Sequence, residues 1–198
     1  MGSRAVRHRR DIATLTRQCW LFAIGSTFFA VATMPGFPAL ASATTANVLC
    51  FVGSWFFTSA GWMQYVLALR GIQWWSAAVQ FMGTVLFNMS TGAAVWAHAV
   101  RAERRYVWAP DATGSLAFLA SGVLAVIVVG LWSPKSVDWR AGWVNMIGCV
   151  AFGVSALAAF VSKTGVTADA WLSNVGTFVG ALCFLVAALM LLPRGESG

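Results

Sequence analysis

Charge is scarce in this chain. Of 198 residues only 10% are Asp, Glu, Lys or Arg, and 59% are hydrophobic, whereas a soluble globular domain carries roughly 25% charged residues. So few polar groups could not cover a surface facing water, which excludes an ordinary soluble domain. Reactive side chains are scarce too. The histidines are His8 and His98, and Cys19, Cys50, Cys149 and Cys183 each fall inside an apolar stretch with no C-x-x-C spacing. They read as small buried side chains rather than as a metal site or a disulfide framework. No paired carboxylates, Ser/His/Asp set or phosphate-binding loop can be assembled. No catalytic, cofactor-binding or metal-binding residues are therefore expected, and the chain does not read as an enzyme. No apolar run holds Asp, Glu, Lys or Arg in its central part, the place where proton relays and ion-coupled transporters carry ionisable groups. His98, at the end of the third run, is the one titratable candidate and reads as an interfacial side chain.

The apolar runs themselves number six, at about 18–34, 46–69, 73–97, 113–132, 140–162 and 171–192. Each matches the roughly 20 residues that a helix needs to cross a bilayer. They are too long and too unbroken for the alternating strands of about ten residues in a membrane β-barrel. The predicted fold class is therefore all-α: a polytopic membrane protein, a bundle of six transmembrane helices. The basic N-terminus is followed by no small-residue cleavage site, so the first run is expected to be a retained helix.

The net charge of +7 would raise nucleic acid as a partner in a soluble protein. Here the basic residues flank apolar runs, and no basic surface interleaved with aromatics accompanies them, so the lipid bilayer is the expected partner and nucleic acid is not. Lys and Arg concentrate on the cytoplasmic side. With both termini inside, Arg4, Arg7, Arg9, Arg10, Arg17, Arg70, Lys135, Arg140 and Arg194 lie inside, against Arg101, Arg104, Arg105 and Lys163 outside. Trp20, Trp74, Trp75, Trp96, Trp132, Trp139 and Trp171 lie near run ends, as an interfacial belt requires. Trp55 and Trp62 lie deeper and are expected between helices.

An internal repeat runs through the helices. Gly25-Ser26 with Phe28-Phe29, Gly53-Ser54 with Phe56-Phe57, Gly83-Thr84 with Phe87, and Gly148-Cys149 with Phe152 share a small pair followed by an aromatic residue. At an offset of 65 residues Trp74 meets Trp139, Gln80 meets Asn145, Gly83 meets Gly148, Phe87 meets Phe152 and Ser90 meets Ser155. Small residues let helix backbones approach in lipid. Gly25, Gly53, Gly83, Gly148, Gly176 and Gly180 are therefore the predicted packing positions, the last two forming a G-x-x-x-G. Gln80, Asn88 and Asn145 are predicted to line one polar seam between the third and fifth runs. Asp111, Asp138 and Asp169 each precede an apolar run and read as helix N-caps.

Trp20-Leu21-Phe22-Ala23-Ile24-Gly25-Ser26 and Leu49-Cys50-Phe51-Val52-Gly53-Ser54-Trp55-Phe56-Phe57 resemble the YrhK-like family of bacterial membrane proteins, over about residues 14–70. The resemblance implies a helical hairpin with a Gly-Ser-x-x-Phe pattern in both helices, repeated beyond it, and implies no known activity. The expected organisation is a basic cytoplasmic segment at 1–17, a YrhK-like hairpin at 18–70, four further helices at 71–192 and a short tail at 193–198. The expected location is the bacterial plasma membrane. The leading functional expectation is a non-enzymatic component that packs with itself, as a homo-oligomer, or with an unidentified membrane partner. The alternative is a facilitator or channel for a small uncharged or weakly polar solute.

Overall fold

The computed structural model describes residues 2–97, 99–162 and 164–193, without the side chains of residues 2–13 and Pro38. His98, Lys163 and Arg194 lie outside the described residues. The described chain is helical apart from turns and one β-bridge between Val161 and Thr167. The elements are α1 (Gly2–Thr33), α2 (Phe37–Ala41), α3 (Ala43–Leu67), α4 (Ile72–Ala94), α5 (Val100–Ala102), a π-helical turn (Glu103–Trp108), α6 (Ala109–Val129), α7 (Val137–Ala158) and α8 (Ala170–Met190). Local chemistry sets several ends. The backbone N–H groups of Thr45, Trp139 and Leu172 donate to the side chains of Ser42, Ser136 and Asp169, which satisfies amides that have no partner within the helix. α6 stops at Gly130, whose φ of +83° disfavours any residue with a Cβ.

Four expectations need correction. The first helix does not begin near residue 18; it runs back to Gly2, so the basic segment continues the helix. The fourth helix does not begin near residue 113, because α5, the π turn and α6 form one helix over Val100–Val129. Asp111 is consequently no N-cap: the helix is already under way, with the N–H of Ala109 bonded to the carbonyl of Arg104. Asp138 is not one either, since Ser136 caps α7. Trp55 and Trp62 point outward, each about half exposed, because Gly53, Ser54, Phe57, Ala60 and Gly61 occupy the inner face of α3.

The six long helices form a closed ring in chain order, α1–α3–α4–α6–α7–α8, with α8 packed against α1. The most extensive packing is within three hairpins, α1/α3, α4/α6 and α7/α8. Each is pinned at one level by a glycine from either helix. A Cβ at Gly25 would lie 2.9 Å from the carbonyl oxygen of Gly53; at Gly114, 3.1 Å from that of Gly83; at Gly180, 3.2 Å from that of Gly148. Only glycine permits this approach, which multiplies van der Waals contacts where lipid gives helices no hydrophobic reason to associate. The G-x-x-x-G glycines, Gly176 and Gly180, both lie against α7.

Small hydroxyl side chains share the interior with apolar ones, and many large apolar side chains face outward. Ser26, Ser54, Ser76, Thr84, Ser115 and Ser121 are buried, while Trp20, Ile24, Trp75, Met82, Leu116, Ile127, Ile147, Leu157 and Val186 are exposed. The helices Val100–Val129, Val137–Ala158 and Ala170–Met190 are long and apolar enough to cross a membrane. The architecture is that of a helical membrane protein.

Candidate functional site

The glycine that pins each helix is followed four residues later by a phenylalanine that points to the ring axis. The pattern, Gly-small-x-x-Phe, occurs in all six helices: Gly25-Ser26 with Phe29, Gly53-Ser54 with Phe57, Gly83-Thr84 with Phe87, Gly114-Ser115 with Phe118, Gly148-Cys149 with Phe152, and Gly180-Ala181 with Phe184. All six phenylalanines are buried in one cluster. They form two layers because neighbouring helices run antiparallel. Phe29, Phe87 and Phe152 make one triangle, with ring centroids 6.2, 6.4 and 5.4 Å apart. Phe184 stands 6.0 Å from Phe57 and 5.8 Å from Phe118 in the other layer. Each hairpin joins the layers, at 5.4 Å for Phe29–Phe57, 5.0 Å for Phe87–Phe118 and 5.1 Å for Phe152–Phe184. Edge-to-face and tilted pairs of this kind add about 0.5–1.5 kcal/mol each beyond their burial. The result is a plug across the middle of the ring.

A cavity lies on the axis at each side of the plug. The larger, about 570 Å³, opens at the end where α1 leads into α3 and is lined by residues from all six long helices. Its floor includes Phe29 and Phe87, and its walls carry Thr33, Ser90, Thr91, Asp111, Ser155 and Thr177. The smaller, about 230 Å³, sits at the opposite end, again lined from all six, with Phe22 and Phe184 toward the plug and Gln18, Gln64, Gln80 and Asn145 on its walls.

Aligning the hairpins on their glycines gives an approximate threefold arrangement that the linings follow. Phe22, Gln80 and Asn145 are equivalent, as are Gln64, Ala125 and Leu191, and all line the smaller cavity. Cys50, Asp111 and Thr177 are equivalent in the larger one. Hydrogen bonds repeat as well. Ser90 Oγ donates to the carbonyl of Val107 at 2.8 Å, and its equivalent Ser155 donates to that of Ser173 at 2.7 Å. Asn47 Nδ2 bridges the first hairpin to the carbonyl of Ala94 in the second, and Trp108 Nε1 bridges the second to that of Ala156 in the third.

Comparison with family models, with curated proteins and with solved structures gives no match. The site is therefore described by its own geometry.

Of the predicted seam, Gln80 and Asn145 line the same cavity, but they do not bond to each other. Gln80 Oε1 accepts from Ser121 Oγ on α6 at 3.2 Å, and Asn145 Nδ2 points to Cys149 Sγ at 3.7 Å. α6 stands between α4 and α7 in the ring. Asn88 lines neither cavity, and its Nδ2 is buried without a hydrogen-bond partner. Sequence reading did not single out Glu103 and Asp111 as lining residues. Their signal is hidden by the π turn, which inserts an extra residue into the helical register and turns Glu103, Val107, Trp108 and Asp111 toward the same cavity. Arg101, Arg104 and Arg105 line a separate outward depression, where Arg104 lies over the ring of Phe160 and Arg105 over that of Tyr106.

Proposed function

We propose that this chain is a six-span membrane protein that provides a gated path for a small solute, with the phenylalanine plug closed in the conformation described. One observation carries the reading: two cavities, each with polar side chains in its walls, share the axis of a single helix ring and are divided by two layers of aromatic rings. The ring supports six crossings. Among the described residues the spans marked by length and apolarity are Val100–Val129, Val137–Ala158 and Ala170–Met190, yet α1, α3 and α4 interleave with them at the same level through the same glycine contacts. Helices packed side by side at one depth share one environment. The outward Trp55, Trp62, Trp75 and Met82 suit lipid. Both termini are cytoplasmic on the Lys/Arg distribution, which turns the larger cavity outward. The bacterial plasma membrane and kinship with the YrhK-like family, whose hairpin corresponds to α1/α3, belong to the same reading.

Close packing is better explained within the chain than with a partner. Every helical glycine from Gly25 onward lies against another helix of the same ring, so the glycine contacts are used within the chain. Single cysteines in a variant lacking the four native ones test the reading, probed by membrane-impermeant thiol reagents in sealed vesicles of either orientation. Thr177→Cys reacts from outside, Asn145→Cys reacts from inside, and Ala181→Cys in the plug reacts from neither. Labelling of Thr177→Cys and Asn145→Cys from the same side, or of neither, would overturn it.

A further inference from the structure

The larger cavity has an uneven charge that its threefold plan does not require. Where the first and third hairpins place Cys50 and Thr177, the second places Asp111, and Glu103 lines the same space two turns earlier on the same helix. None of the described lining residues is Lys or Arg. The guanidinium groups of Arg104 and Arg105, next to Glu103 in sequence, are held over Phe160 and Tyr106 outside the cavity. Among the described residues no hydrogen bond or ion pair reaches the Asp111 carboxylate, although a carboxylate removed from bulk water is costly without a partner. Among small and hydroxyl residues the lining also carries three aromatic side chains, Phe29 and Phe87 at its floor and Trp108 on the wall beside the acids.

Carboxylates and aromatic faces that converge on one cavity recognise a cation through Coulomb attraction and cation–π contact. A metal ion fits poorly. No group of three or more His, Cys, Asp or Glu able to hold one occurs among the described residues, whereas a hard cation takes six or more converging oxygens. The cavity of about 570 Å³ falls in the size range of sites for small organic molecules. We infer that the larger cavity binds a small organic ammonium ion, with Asp111 and Glu103 as its counter-charges and Trp108, Phe29 and Phe87 as its apolar wall. This rests on the gated-path reading and refines it, since the absence of charge from the centres of the apolar runs pointed to an uncharged solute.

Cys50, on the same wall position as Asp111, is a native reporter. In a variant retaining only this cysteine, with Cys149→Ser to match the serine of the first repeat and alanine at Cys19 and Cys183, labelling is compared between a trimethylammonium and a sulfonate methanethiosulfonate in nanodiscs. Each rate is normalised to the chain unfolded in dodecyl sulfate. The cationic reagent is expected to be favoured at least tenfold, Asp111→Asn and Glu103→Gln separately to reduce the preference, and benzylammonium, but not benzyl alcohol, to protect Cys50. The two single variants keep the test valid where one of them does not fold. Equal normalised rates, a preference that survives both substitutions, or equal protection by benzyl alcohol would overturn the ammonium site while leaving the gated path standing. No labelling of the folded protein by either reagent, at this cysteine and at Thr177→Cys alike, would overturn both.

Discussion

One methyl group at Gly83 measures how tightly the ring is built. A Cβ there would stand 2.7 Å from both Cδ1 and Cε1 of Phe118 and 3.1 Å from the carbonyl oxygen of Gly114. Carbon atoms rest at about 3.5–4.0 Å, so the ring or the helix must retreat by about 1 Å. Phe118 has little room to do so, with Phe87, Phe184 and Phe152 at 5.0, 5.8 and 6.1 Å. Overpacking of this kind costs about 1–3 kcal/mol, and alanine in place of glycine within a helix returns about 0.5–1 kcal/mol. Gly83→Ala should therefore lose up to about 2.5 kcal/mol. Gly153→Ala is the matched control: its methyl would meet only the far end of Leu119, at 3.0 Å. That side chain can turn aside, so the change should be neutral or stabilising by up to about 1 kcal/mol. The assay is thermal melting in detergent, read as the fraction that remains monodisperse. In a Phe118→Leu background the cost of Gly83→Ala should shrink, with a coupling of about 0.5–3 kcal/mol. Equal melting of Gly83→Ala and Gly153→Ala, or an unchanged cost in the Phe118→Leu background, would refute the packing argument.

Ser155→Ala removes the 2.7 Å hydrogen bonds of its hydroxyl with the carbonyl of Ser173 and with the hydroxyl of Thr177 and should lower stability by about 0.5–1.5 kcal/mol; unaltered melting would mean that these groups find other partners. Reporter fusions at both termini should give cytoplasmic signals, and an external signal from either end would defeat the six-crossing topology.

Much of the helical layout is legible in the amino-acid order, because a bilayer imposes length and apolarity together. α3, α4, α7 and α8 begin and end within a few residues of the expected runs. The start of the Val100–Val129 helix is not legible, since Arg101, Glu103, Arg104 and Arg105 mimic a loop when their polar heads can reach the bilayer edge from a helix. Four of the six Gly-small-x-x-Phe segments can be read from the repeat. Gly180 is masked by its membership of a G-x-x-x-G, and Gly114 by lying at the very start of its apolar run. The convergence of six phenylalanines depends on ring closure between α1 and α8, a contact between the two ends of the chain that no local pattern encodes. The pairing of Gln80 and Asn145 with one cavity follows from the repeat offset. The exclusion of Asn88 follows from its position five residues beyond Gly83, about 140° further round the helix.

The claim that the six phenylalanines close an otherwise continuous axial path is tested most directly by flux. Liposomes containing wild-type protein, Phe87→Ala or Phe87→Leu are given an inward gradient of urea, and swelling is followed by stopped-flow light scattering. Phe87 touches Phe29 and Phe152 in its own layer and Phe118 in the other, so its truncation is expected to open the first layer and loosen the second. Urea entry should rise at least tenfold over wild type in Phe87→Ala and little in Phe87→Leu, for protein that still elutes as a single species. Entry in Phe87→Ala equal to that in wild-type and protein-free liposomes would contradict the account.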